Sequence, residues 1–142
     1  MRGDTLHNFI ATGTEMTAGR FFASVGTEYQ FTRSGVTTYF DVFAWQGCIA
    51  LGLEVETTLR HAIDNAKKAA TVDVPLWVIV PTRKLKLELI RRLESLELRP
   101  GGEPVNVLLL GQLERMLVNY LSKRMANSNE NTSDITGEQN QS

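Results

Sequence analysis

Three carboxylates in apolar surroundings are the residues of this sequence best placed to do chemistry. Asp41 lies within the apolar stretch 39–45, and Glu54 and Glu56 lie at the end of a second apolar run that begins at Cys48. Runs of this kind predict strands, and carboxylates on neighbouring strands are costly to bury unless a cation neutralises them. Clusters of carboxylate oxygens suit hard divalent ions, so the sequence predicts a site for Mg²⁺ or Mn²⁺ formed by the three acids.

The spacing of the acids predicts how they would meet. If the two strands form a hairpin that turns at residues 46–47, Asp41 lies opposite residue 52 or 53, and Glu54 becomes its diagonal neighbour. Diagonal partners on adjacent strands lie about 7–8 Å apart, a gap over which carboxylate side chains can converge. Glu54 and Glu56 are two residues apart and therefore share one face of the strand. The alternative interpretation is an exposed strand end whose two glutamates only solubilise it.

The length and composition indicate one domain with a core of its own. The chain has 142 residues, of which 42% are hydrophobic, and its formal net charge is −1. We predict a folded α/β domain over residues 4–124 and a disordered polar tail over residues 125–142, because the tail has too few apolar side chains to offset its ordering entropy. The single Cys48 excludes an internal disulfide, and its apolar neighbours predict a small buried side chain.

Hydrophobic periodicity predicts the element order α-β-β-β-α-β-α-β-α. Such an order favours a mixed central β-sheet flanked by helices on both faces. The predicted helices cover residues 5–23, 59–70, 83–98 and 112–124, and the predicted strands cover residues 28–32, 36–45, 48–56, 74–80 and 105–110.

Several other classes of protein find no support in the sequence. It has no Gly-rich phosphate loop, no Cys/His zinc spacing and no Gly-x-Ser-x-Gly elbow, which argues against kinases, Rossmann oxidoreductases and α/β-hydrolases. No stretch approaches the roughly 20 apolar residues of a membrane span, and the first residues lack the apolar core of a signal peptide. We therefore expect a cytoplasmic protein without membrane contact.

The element order, together with Asp41, Glu54 and Glu56, resembles the PD-(D/E)XK nuclease superfamily, also called restriction-endonuclease-like. The resemblance covers roughly residues 5–80 and implies an α-β-β-β-α-β core to which the final α-β-α is added. Asp41 matches the acid on the second strand and Glu54 the acid on the third, whereas Glu56 stands where most members have lysine. The resemblance implies hydrolysis of DNA with Mg²⁺ (or Mn²⁺), and homodimers that cut two strands.

The glutamate at position 56 is the main departure from the superfamily pattern. Some members carry Glu there and use two divalent ions, and others place the lysine in the following helix. Lys67 is the candidate for that catalytic lysine, with Lys68 and Arg60 beside it, although a solvated helix face is the plainer interpretation of all three. The superfamily also implies an acid on the first helix, for which Glu15 is the candidate, and a surface glutamate is again the plainer interpretation.

Candidate DNA contacts are the cationic and imidazole side chains that follow the acids. They lie in the helix after the predicted site and at the start of the 83–98 helix, where a phosphate could be reached, although a salt-bridged or solvated helix surface is the plainer interpretation. These candidates are Arg60, His61, Lys68, Arg83 and Lys84.

The resulting expectation is a Mg²⁺-dependent DNA endonuclease in which Asp41 and Glu54 hold the ion. Glu56 would bind a second ion or orient the attacking water as a general base. Two alternatives stay open: a catalytically inactive nuclease-fold subunit that binds DNA or serves assembly, and a small α/β protein-interaction or regulatory domain. The tail over residues 125–142 is either a partner-binding segment or a solubilising end.

Overall fold

The structure, a computed structural model, describes residues 5–140 of the chain, with side chains for residues 5–126. Within that part, four α-helices and five strands follow the predicted order, with two 3₁₀ turns added. The α-helices are α1 Thr5–Gly19, α2 Leu59–Val72, α3 Arg83–Leu96 and α4 Leu113–Asn140. The strands are β1 Ser24–Arg33, β2 Val36–Gln46, β3 Ile49–Val55, β4 Leu76–Val80 and β5 Asn106–Leu109, and the 3₁₀ turns are Pro100–Gly102 and Leu110–Gln112.

The predicted division of the chain at residue 125 stays a prediction. The backbone of α4 continues through Asn140, beyond the predicted end of the last helix at residue 124. The side chains of residues 127–142, which make up most of the predicted tail, lie outside the described part.

The five strands form one mixed sheet in the order β1-β2-β3-β4-β5. Strand β2 is antiparallel to both of its neighbours, β1 and β3, and strands β3, β4 and β5 run parallel. The predicted α/β class with a mixed sheet is therefore confirmed. Because β3, β4 and β5 are parallel, their carboxyl ends meet at one edge of the sheet, which is where the residues of the candidate site lie.

Helices cover both faces of the sheet, as predicted. One hydrophobic cluster joins α1 and α4 to the sheet and includes Ile10, Leu53 and Leu117. The other joins α2 and α3 to the opposite face and includes Ile63 and Leu89. All five residues of β4 are buried, which is typical of a strand covered on both faces.

The turn between β2 and β3 lies one residue later than predicted. Gln46 pairs with Ile49, so the two-residue loop is Gly47–Cys48 rather than residues 46–47. Gly47 has φ +58°, a left-handed conformation that a tight hairpin requires and glycine adopts without strain. Cys48 is therefore exposed in the loop, and the prediction that it is buried in a strand is wrong.

Among the described residues, no helix combines the length and the apolar character that a membrane crossing requires.

Candidate functional site

The register of β2 and β3 brings the first two acids side by side. The last backbone pair of the β2–β3 ladder is Val42 with Leu53, and the next residues along the two strands are Asp41 and Glu54. The sequence predicted a diagonal relation between these acids, and this detail is wrong because the turn lies one residue later. The two carboxylates are direct cross-strand neighbours, a closer arrangement than the predicted one.

The sheet is distorted where Asp41 lies. Phe40 packs in the cluster under α2 and α3, whereas Val42 packs in the cluster under α1 and α4. Residues two apart on a regular strand share a face, so the alternation of β2 is interrupted at Asp41. Glu28, the residue of β1 that would pair with Asp41, is missing from the ladder and has φ +45°. Such irregularities re-aim side chains and are concentrated at functional sites.

Side chains replace the backbone ladder beyond this point. The backbone N–H of Val55 donates to Asp41 Oδ2 at 2.7 Å. The backbone N–H of Asp41 lies 3.4 Å from Glu54 Oε1, a long contact that still holds the second carboxylate beside the first strand. The acids therefore take part in joining β2 to β3, and their positions are set by backbone atoms.

Glu54 of β3 and Glu56, the residue that follows the strand, are both buried, which excludes the interpretation as an exposed strand end. Glu54 is 5% exposed and Glu56 is 6% exposed. Burial first, and the neighbouring Asp41 carboxylate second, raise the pKa of Glu54 to about 10. Burial also raises the pKa of Glu56 to about 7, although a hydrogen bond from Asn65 opposes that shift. Both groups resist ionisation unless positive charge is brought to them.

Two residues that the sequence did not single out as parts of the site contact these acids. Asn65 of α2 donates a hydrogen bond from Nδ2 to Glu56 Oε2. His7 of α1 places Nε2 at 3.3 Å from Asp41 Oδ2 and is half-buried. A helix from each face of the sheet thus closes over the acids. Asn65 lies nine residues after Glu56, beside the apolar stripe of α2. A polar residue beside the apolar stripe of the helix that follows the acids is the sequence signal that could have identified Asn65 as part of the site.

The structure does not bring the predicted catalytic lysine to the acids. Lys67 is exposed on α2, two residues and therefore about 200° around the helix from Asn65, which faces Glu56. Lys68 is also exposed, but it lies one turn from Asn65 on the same flank of the helix. The role of Lys67 as a catalytic lysine remains a prediction that the geometry does not favour.

The remaining candidate residues lie around the same edge of the sheet. Arg60 and His61 are exposed in the first turn of α2, and Arg83 and Lys84 are exposed in the first turn of α3. Both helices begin where β3 and β4 end, so these side chains start from the edge that carries the acids. Glu15 of α1 is exposed and lines the same cavity as Asp41 and His7.

Among the described side chains, ion pairs reach the acids only at Asp41, through His7. None of the ion pairs among the described side chains involves Glu54 or Glu56. As these side chains stand, no group of three or more His, Cys, Asp or Glu residues in the described part is arranged to hold a metal ion. Two adjoining carboxylates remain, and Mg²⁺ commonly takes one or two carboxylates and completes its shell with water and substrate oxygens. The donor set fits a hard divalent ion held jointly with a substrate.

Comparisons of the chain with protein-family models, with curated proteins and with solved structures found no match.

Proposed function

We propose that this protein hydrolyses phosphodiester bonds of DNA with a divalent ion, Mg²⁺ or Mn²⁺, on a restriction-endonuclease-like fold. One observation carries the proposal. Asp41 and Glu54 are brought together from adjacent strands at the point where the β2–β3 ladder ends and the sheet is distorted. The strand order and the helices on both faces agree with the core that the superfamily resemblance implies.

The residues that would hold the ion are Asp41 and Glu54, and Glu56 would either bind a second ion or act as the general base. Buried carboxylates with raised pKa values are a fit for such an ion, because a divalent charge would remove the free-energy cost of ionising them. When bound, the ion supplies polarisation of the scissile phosphate and lowers the pKa of a water molecule.

Glu56 is the candidate general base. Its pKa of about 7 lies near neutral pH, where a group can both accept and release a proton efficiently. Asn65 donates a hydrogen bond to Oε2 of this carboxylate, which restricts its orientation and leaves Oε1 as the oxygen that would accept a proton from an attacking water. Glu56 thus stands in for the lysine that most superfamily members carry at this position.

The test is a cleavage assay on supercoiled, linear, branched and single-stranded DNA with Mg²⁺ or Mn²⁺. We expect cleavage by the wild-type chain and a loss of about a hundredfold or more in Asp41→Asn and Glu54→Gln. The matched control is Glu94→Gln, which removes an exposed carboxylate from α3 and should cleave as well as wild type. Cleavage that survives both site substitutions would overturn the proposal.

A second candidate, a nuclease-fold subunit that binds DNA without cutting it, is favoured by one observation. The position of the usual lysine is Glu56, and the proposed substitute Lys67 is turned away from it. This candidate predicts that the wild-type chain binds DNA but cuts none of the substrates with either ion. The homodimer, the partner-binding tail over residues 125–142 and the cytoplasmic location stay predictions.

A further inference from the structure

The charged residues near the acids differ between the two sides of the site. On the side of α1 and β1, one cavity is lined by three carboxylates, those of Glu15, Glu28 and Asp41, together with His7. A DNA backbone carries a negative charge at every phosphate, so the exposed carboxylates of Glu15 and Glu28 in this cavity repel it. A polyanion therefore meets less repulsion from the opposite direction along the edge of the sheet.

The opposite direction carries a cationic cavity. Arg83 and Lys86 line it, with Leu87, Leu109 and Gln112 as its other walls; we call this cavity the Arg83–Lys86 notch. Lys86 is half-buried in α3. Its Nζ donates to Gln112 Oε1 at 2.9 Å, and the same oxygen accepts the backbone N–H of Leu109 at 2.9 Å. The lysine is therefore held in the cavity and loses little conformational freedom when it binds an anion.

The Arg83–Lys86 notch suits a phosphate by its chemistry. The guanidinium of Arg83 can donate two parallel hydrogen bonds to phosphate oxygens, and the ammonium of Lys86 adds a compact charge. Thr82 caps α3 by accepting the N–H of Leu85, and Arg83 is the first residue of this helix, so the notch lies at its N-terminal end. Two cations on one wall thus work with a helix terminus that also favours negative charge.

The distance between the Arg83–Lys86 notch and the acids matches the spacing of phosphates a few nucleotides apart on one DNA strand. Leu109, at the carboxyl end of β5, forms one wall, and Glu54 lies near the carboxyl end of β3. Those parallel strands are separated by β4, so the lateral distance is about 10 Å at roughly 4.8 Å per strand. A nucleic-acid strand that rises about 3.4 Å per nucleotide spans that gap within about three nucleotides and places another phosphate there.

We propose that the Arg83–Lys86 notch is a binding site for a backbone phosphate of the DNA that flanks the cleaved position, so that the substrate runs from the acids over β4 and β5. The inference rests on the proposed function and adds to it the direction in which the DNA lies. The inference also distinguishes Arg83 from the other exposed cationic residues, because Arg83 lines the same cavity as Lys86, whose ammonium group is held by Gln112.

The test is the salt dependence of binding to a short fluorescent DNA duplex, followed by anisotropy in EDTA so that no strand is cut. Each lost phosphate contact should make the slope of log K against log salt shallower by about 0.9, so Arg83→Gln and Lys86→Gln should each show that change and the double variant about 1.8. Arg83 is exposed, so its variant keeps the fold even if Lys86→Gln does not.

The control is Arg92→Gln, which removes the same charge from the same helix. Arg92 is exposed and lies nine residues, about 13 Å, beyond Arg83 and half a turn around α3. Its slope should equal that of wild type. Slopes for Arg83→Gln and Lys86→Gln equal to that of Arg92→Gln would overturn the phosphate site while leaving the nuclease proposal in place, whereas a wild-type chain that binds no DNA would overturn both.

Discussion

Replacing Glu54 by glutamine should stabilise the protein at neutral pH when divalent ions are absent. Burial and the neighbouring Asp41 carboxylate raise the pKa of Glu54 from 4.5 to about 10, so the folded chain at pH 7 keeps a proton that the unfolded chain has lost. The free-energy cost of this protonation at pH 7 depends on the interval between the unfolded pKa of 4.5 and pH 7, and at about 1.4 kcal/mol per pH unit it is on the order of 3 kcal/mol. Glutamine carries no such cost, and its amide can still donate to Asp41.

The same linkage gives the sign of the pH dependence. At these two groups the folded chain binds more protons than the unfolded chain, so their contribution to stability is greatest below about pH 4.5 and falls as the pH rises, through about 7 for Glu56 and about 10 for Glu54. The advantage of Glu54→Gln should therefore be near zero at about pH 4 and grow by about 1.4 kcal/mol per pH unit toward pH 7.

The assay is urea denaturation in EDTA across this pH range, followed by the fluorescence of Trp77, which is buried in the core. The control is Glu94→Gln on the exposed surface of α3, which should show no pH-dependent gain. A Glu54→Gln variant that is no more stable than wild type at pH 7, or whose advantage is the same at every pH, would refute the argument that Glu54 is buried beside a second carboxylate.

Three further predictions concern the surroundings of the acids. Asn65→Ala should lower stability by about 1–3 kcal/mol above pH 7, where the bonded carboxylate of Glu56 is ionised, and by less at pH 5, as urea titrations at the two pH values would show. A divalent ion at about 100 times its dissociation constant should raise the stability of the wild-type chain by about 2.7 kcal/mol and that of Asp41→Asn by much less, measured by thermal unfolding. Gly52→Ala should cost about 1–3 kcal/mol because its Cβ would lie 2.5 Å from a phenylalanine ring, whereas Gly19→Ala, with open space around it, should cost nothing in the same denaturation assay.

Much of the fold could be predicted because the sequence patterns are local. The helical and alternating periodicities give the order of the elements, and the continuous apolar run at β4 indicates a strand covered on both faces, as the structure has it. The position of Asp41 next to the glutamates of β3 also followed from the strand prediction. The turn was predicted one residue too early, which put Asp41 opposite residue 52 or 53 instead of Glu54, because the turn is governed by the positive φ of Gly47 and the hydrophobic pattern does not encode it.

The details that make the site came from contacts that no local pattern contains. The interrupted alternation at Asp41 depends on the neighbouring strand β1, where Glu28 takes a left-handed conformation. Asn65 reaches Glu56 only because α2 packs back over the sheet, and His7 reaches Asp41 across 34 residues of chain. Such partners are fixed by the packing of helices on the sheet, so sequence spacing alone could not identify them.

A crystal of the protein soaked with Mn²⁺ tests the central claim most directly. The account predicts an anomalous scattering peak between Asp41 and Glu54, with a carboxylate oxygen of each at a coordinating distance of about 2.0–2.2 Å, comparable to that of Mg²⁺. A crystal at saturating Mn²⁺ that shows no ion between these two carboxylates, with both still bonded only to protein atoms, would contradict it.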